Sequence, residues 1–180
     1  MATQVFPASD CVIFRKTRDE YGDLSNMAAG FPLTINGINV RTPEALYQAC
    51  KFPNHPKVQK EIIDQYSPIA AKMVSRSYGH LCREDWLKIR VDVMRWVLQL
   101  KISIHYEKFS QLLLSTGDKP IVEYSRHDDF WGAIQEQGTL TGENMLGQLL
   151  MELREQVKNN KTVKLSKIEN LILFEQEISQ

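Results

Sequence analysis

The sequence predicts a mainly α-helical domain of the α+β class with minor β structure, on three observations. Residues 84–105 repeat apolar side chains at helical pitch, with Trp86, Ile89, Val93, Val97, Leu100 and Ile104 on one stripe. Leu87, Val91, Met94 and Leu98 form a second stripe beside it, an apolar arc wide enough for a central helix packed on two sides. Residues 42–53 hold a short helix marked at both ends, by a capping Thr42 with Pro43 behind it and by Pro53. The β signals, by contrast, are few and short.

Length and composition agree. At 180 residues the chain is long enough for one independent core, and 43% hydrophobic with 24% charged residues is ordinary for a globular protein. Residues 1–157 are read as one domain. Lysine plus arginine equals aspartate plus glutamate at 22 each, so a broad electrostatic grip on nucleic acid is excluded and any such contact is local. No leader-like or membrane-spanning apolar run is present, and Cys11, Cys50 and Cys82 are scattered. The expectation is a cytoplasmic chain with reduced thiols and no membrane association.

Taken in order, residues 11–15 predict a strand and 16–26 a polar loop. Within that loop Ser25 and Asn26 are turn formers by chemistry, and equally neutral groups able to orient a sugar or phosphate. Asn36-Gly37 inside residues 33–40 predicts a two-residue hairpin, since both residues tolerate positive φ. Residues 58–66 follow as a helix with Val58, Ile62 and Tyr66 on one face, and Ser67-Pro68 opens another. On that next helix Lys72 and Arg76 share a face, as a solvated basic edge or as a phosphate contact. Residues 109–114 predict a helix stopped near Gly117, and 120–124 a short strand. Residues 125–132, with Asp128, Asp129, Trp131 and Gly132, read as a chemically rich loop continued by 138–142. Residues 143–157 close the domain as a helix with Leu146, Leu149, Leu150, Leu153 and Val157 inward. Residues 158–180 are read as a polar linker and C-terminal extension: an added helix packed on the core, a dimer contact or a partner segment.

The chemistry narrows by elimination. His55, His80, His105 and His127 are far apart and no metal-ligand pair spacing occurs, so no metal is expected. A glycine-rich phosphate loop and a Gly-x-Ser-x-Gly elbow are both absent. What remains is carboxylate and lysine chemistry. Glu44, Gln48 and Lys51 fall at i, i+4 and i+7 on the short helix, a stripe that also suits a plain solvated face aligned with the helix dipole. With Asp128 or Asp129 supplying a second carboxylate, glycosidic cleavage through an oxocarbenium-like state is open. Lys51 could attack an opened sugar as a free amine, or could hold Glu44 as an ion-pair partner. Trp86, in the first turn of its helix, could stack on a base.

These residues resemble a known family. Glu44-x-x-x-Gln48-Ala-x-Lys51-Phe52 is similar to the signature helix of the NADAR, or YbiA-like, N-glycosidases. So are Tyr21-Gly-Asp-Leu-Ser-Asn26, Ser67-Pro68-x-x-Ala-Lys72, Asp128-x-x-Trp131-Gly132 and Asn144-x-Leu-Gly147, in that order along the chain. The resemblance implies a YbiA-like helical fold and cofactor-free N-glycosidase activity. It marks Glu44 as the catalytic glutamate and Trp86 and Asp128 as required pocket residues. Lys51, Asn26, Trp131 and Asn144 match positions lining the site. The chain departs from the family at Pro43-Glu-Ala-Leu-Tyr-Gln48, where Ser-Glu-His-Tyr-Phe-Gln is frequent, and at residues 133–136 after Trp-Gly. The departures bear on substrate, between ADP-ribosylated guanine in DNA and ribosylamino intermediates of riboflavin synthesis. They lean towards the first, with a DNA ADP-ribosyltransferase toxin as cognate partner, an extruded nucleotide as the target and Lys72 or Arg76 meeting the pyrophosphate. A non-catalytic module binding free ADP-ribose is the reading from a different class.

Overall fold

The computed structural model describes residues 2–178. Its helices are α1 (Pro43–Ala49), α2 (Pro56–Ile63), α3 (Pro68–Ser77), α4 (Trp86–Ile104), α5 (Tyr106–Ser115) and α6 (Met145–Lys158). Its strands are β1 (Gln4–Pro7), β2 (Val12–Phe14), β3 (Leu33–Ile35), β4 (Ile38–Val40), β5 (Ile121–Glu123), β6 (Ile134–Glu136), β7 (Thr139–Gly142), β8 (Ile172–Leu173) and β9 (Gln176–Glu177). Helix outweighs strand, 44% to 16%, which is the α+β class with minor β that the periodicity predicts. The chain forms two compact units, Met1–Ala28 with His105–Val163, and Ala29–Ile104 with Lys164–Gln180.

In the first unit β1, β7 and β6 form an antiparallel sheet, with Gln4 opposite Gly142 and Ile134 opposite Thr141. Parallel β2 and β5 pair Val12 with Ile121. Phe6, Val122, Ala133 and Leu140 make one apolar cluster, and α6 packs on both α5 and β5. The approach to β5 is so close that a Cβ at Gly147 would overlap the Ile121 carbonyl oxygen, so this register of α6 requires glycine. The inward residues expected for 143–157 are all buried.

In the second unit the Asn36-Gly37 hairpin forms as expected, with φ of 49° and 77°. It leads into α1, which packs against α2, α3 and α4. Phe31, Leu33, Leu46, Phe52, Ile62, Trp96 and Ile102 are fully or almost fully buried around it.

Three expectations are corrected, and one strand had none. Residues 138–142 are not loop: Gln137 and Gly138 both take positive φ and turn β6 into β7. Gln-Gly is not a marked turn pair, so the sequence signal is weak. Strand β1 is likewise unannounced, because its partner lies more than 130 residues away. Tyr66 is not on a helix face. Helix α2 ends at Ile63, and Tyr66 is 89% exposed with the Arg41 guanidinium 4.6 Å from its ring centre. Finally, the described residues of the extension form no helix. Phe174 and Glu175 take positive φ and join β8 to β9, and Leu171, Leu173 and Ile178 are buried. Among the described residues no helix is long and apolar enough to cross a membrane, and the three cysteines form no disulfide.

Candidate active site

The second unit gathers Glu44, Gln48, Lys51, Lys72, Arg76 and Trp86. Local chemistry fixes α1 first. The Thr42 hydroxyl accepts from the Ala45 N–H at 3.3 Å and Pro43 occupies the first turn. Every residue of α1 is buried, so its polar stripe is not a solvated face. Glu44 and Gln48 retain only 6% and 2% exposure, and the Gln48 amide Nε2 donates to Glu44 Oε1 at 2.7 Å. A donor of that kind to a carboxylate in a poorly hydrated place is a strong, orienting bond.

Lys51 lies one turn further on, half-buried, in the turn that follows α1. Its Nζ is 5.5 Å from the Trp86 ring centre and 5.9 Å from that of Tyr47, and those two rings are 5.0 Å apart at 56°. Burial pushes the Lys51 amine below the ordinary lysine range, and Lys72 and Arg76 push the same way; Glu44 and Cys82 act against them. No ion pair joins Lys51 to Glu44 among the described residues. The carboxylate accepts from Gln48, and Glu44 acts on the Lys51 amine through its charge, favouring the protonated form.

Helix α3 brings Lys72 and Arg76. Its first turn is capped by the Ser67 hydroxyl, which accepts from the Ala70 N–H at 3.1 Å. Lys72 is half-buried and Arg76 exposed. Nearby, burial pushes the Cys82 thiol up while Lys51 and Arg83 pull it down. Cys50 is fully buried and pushed up to about 12, which makes it an inert core thiol.

The remaining candidates belong to the first unit, and most of them carry backbone. Asp128 Oδ1 accepts from the Phe130 N–H at 3.2 Å and the Trp131 N–H at 2.9 Å, closing the turn that presents Trp131. Phe130 stands edge-on to Trp131 with ring centres 5.0 Å apart. Gly132 is buried where a Cβ would come within 2.5 Å of the Glu123 carbonyl oxygen. Asn144 is fully buried at φ 51°, its Nδ2 donating to the Ile121 carbonyl at 2.8 Å while Oδ1 accepts from the Glu123 N–H at 3.1 Å. Both ends of that amide complete β5. Ser25 and Asn26 are buried, and the Ser25 hydroxyl accepts from the Met27 N–H at 3.1 Å, the turn role that chemistry alone favours.

Tyr47 and Cys82 escaped the sequence reading. Tyr47 sits one residue before Gln48 on α1, and its aromatic wall with Trp86 depends on a contact nearly forty residues long. Among the described residues no group of three His, Cys, Asp or Glu side chains is placed to hold a metal ion.

Comparison with known proteins finds relatives along most of the chain. The NADAR domain model matches residues 13–158. The N-glycosidase YbiA of Escherichia coli strain K12 is 39% identical over 144 residues, 80% of this chain and 86% of that protein. An N-glycosidase of Nostoc punctiforme is 30% identical over 82% of this chain and 93% of its own length. A riboflavin biosynthesis protein of Vibrio vulnificus is 32% identical over 83% of this chain but only 39% of its own length. Among solved structures, the NMR structure of E. coli YbiA superimposes with a TM-score of 0.70 at 37% identity, covering 84% of this chain and 87% of that one. With a family match over most of its length and relatives covered nearly end to end, the chain belongs to the NADAR domain family.

Proposed function

We propose that this chain is an N-glycosidase that removes ADP-ribose from N-ADP-ribosylated guanine in DNA, reversing the product of a DNA ADP-ribosyltransferase. The observation that carries the reading is the pairing on and after α1. A carboxylate fixed by an amide donor acts electrostatically on a lysine whose burial favours its neutral form. The relatives named N-glycosidase support the reaction type.

In this mechanism the C1–N bond of the modified base breaks and its electron pair leaves on the guanine nitrogen, which takes up a proton. Glu44 accepts the proton of the incoming nucleophile and stabilises positive charge at C1. With Lys51 as nucleophile, the C1–O4 bond opens first, its electron pair going to O4 with a proton from the guanine N–H. The amine adds to C1, Glu44 passes the amine's proton to the guanine nitrogen as the C1–N bond breaks, and water hydrolyses the remaining iminium to free Lys51 and ADP-ribose. Tyr47 and Trp86, inclined at 56° to each other, offer an aromatic corner for a base or ribose. Lys72 and Arg76 offer cations for the pyrophosphate. From the first unit, Asp128 is carried as a required carboxylate by the resemblance.

A second reading has a specific support: relatives of Vibrio vulnificus and maize are named riboflavin biosynthesis proteins. Cleavage of a ribosylamino intermediate breaks the same kind of C1–N bond with the same residues. Parallel incubation of the chain with a guanine-ADP-ribosylated oligonucleotide and with a ribosylaminopyrimidine phosphate separates the two. Release of ADP-ribose from the oligonucleotide is expected. An intact oligonucleotide beside a cleaved pyrimidine transfers the proposal to the second reading, and two intact substrates leave a binding module.

A further inference from the structure

The family match ends at residue 158, yet residues 164–178 are built into the unit that carries α1. Ile168, Leu171, Leu173 and Ile178 are all at least nine-tenths buried. Two side chains tie this segment to the turn holding Lys51, one from each side. Gln59 of α2 is fully buried, and its Oε1 accepts from the Phe174 N–H at 2.8 Å. Its Nε2 donates to the Ile172 carbonyl at 2.8 Å and, more weakly, to the Ala49 carbonyl at the end of α1 at 3.4 Å. On the other side, the Arg83 backbone N–H donates to the Lys51 carbonyl at 2.9 Å. The Arg83 guanidinium donates to the Asn170 carbonyl at 3.0 Å and the Glu169 carbonyl at 3.4 Å, while Asp85 holds its Nε at 2.6 Å.

We propose that residues 164–178 are a brace that positions Lys51, with Gln59 and Arg83 as the positioning residues. The proposal rests on the reading of Lys51 as a reacting amine. A backbone turn anchored at Ala49 and Lys51 by groups that are themselves anchored on β8 and its approach has little freedom to swing Lys51 into water. Freed of either anchor, the turn hydrates, and the amine loses its placement. No side chain of the segment has to reach substrate for this. Gln59 and Arg83 act through Lys51.

The test is NMR of the full-length chain labelled with 13C at lysine Cε, with the Lys51 signal assigned by its loss in Lys51→Arg. Glu44, Cys82, Lys72 and Arg76 are the charged and titratable groups that act on Lys51, and all stay in place in the variants. In Gln59→Leu and Arg83→Lys the Lys51 titration is expected to move up by about one pH unit towards free lysine. Turnover is expected to fall on the order of tenfold. Gln99→Met on α4 is the control, since it removes the acceptor of the Ser166 N–H at 2.8 Å, a tie of the segment that involves neither Ala49 nor Lys51; it should lower stability and leave the Lys51 titration alone. Should Gln59→Leu fail to fold, Arg83→Lys, which keeps charge and backbone bond, still decides. An unmoved Lys51 titration in the folded variants overturns the brace. Full turnover by Lys51→Ala would sink the catalytic role alone, because the titration reads the brace independently.

Discussion

Glu44 stands on a helix whose first turn is capped by another residue, whereas Asp128 itself accepts the backbone bonds of its loop. In the second unit Thr42 caps α1, Pro43 starts it, and the polar stripe is left over for chemistry, with Gln48 aiming the carboxylate. In the first unit, Asp128 Oδ1 is engaged by two N–H groups and Asn144 by both ends of its amide. Where regular secondary structure satisfies the backbone, polar side chains remain available to a ligand. Where the chain is irregular, the same residue types are first needed to hold it. The comparison therefore separates residues whose removal should cost activity from residues whose removal should cost the fold.

The largest expected effects fall on α1 and its following turn. Glu44→Gln and Lys51→Ala should each lower kcat by about 10²–10⁴, measured as ADP-ribose release, while each variant melts near the wild-type temperature. The reverse is expected in the first unit. Asn144→Ala removes the donor to the buried Ile121 carbonyl and the acceptor of the half-buried Glu123 N–H, and should cost about 1–3 kcal/mol in urea unfolding, with kcat of the folded fraction retained. A smaller effect sharpens the contrast at Asp128. Asp128→Asn keeps an acceptor for Phe130 and Trp131, so melting should barely move; a fall in turnover at constant melting temperature would then show that the charge itself is used.

The smallest effect is a pH profile. The Lys51 amine titrates below the ordinary lysine range, so its neutral form grows as pH rises, and turnover that uses it should climb and level off before pH 10.5. The sign for stability follows the same shift. Below the folded-state value both states hold the proton and folding bears the full cost of the buried charge. Between that value and 10.5 the unfolded chain binds more protons, so stability contributed by this group rises with pH. Lys51→Met should remove that rise, as read by unfolding at neutral and alkaline pH.

How far the sequence could be read follows the same division. The caps, prolines and i, i+4 spacing of α1 are local, as are the Asn36-Gly37 turn and the broad arc of α4, and each predicted its element. Relations between distant residues left no such trace. The pairing of β1 with β7, the meeting of Tyr47 with Trp86 and the clasp of Gln59 on β8 all join residues far apart in the chain. The extension misled for a physical reason: Ile168, Leu171, Ile172 and Phe174 can be spaced as a helix face, but Leu171 and Leu173 are buried at the strand period. The place of Gln48 one turn from Glu44 on the stripe was legible, although its hold on Glu44 needs a rotamer that spacing does not specify.

Helix α1 either performs chemistry or only binds. The most direct measurement sets calorimetric binding of ADP-ribose by Glu44→Gln beside its release of ADP-ribose from a guanine-modified oligonucleotide. Retained binding with turnover lost is the predicted result. Turnover at the wild-type rate in Glu44→Gln would contradict it, and would move the reacting group off α1.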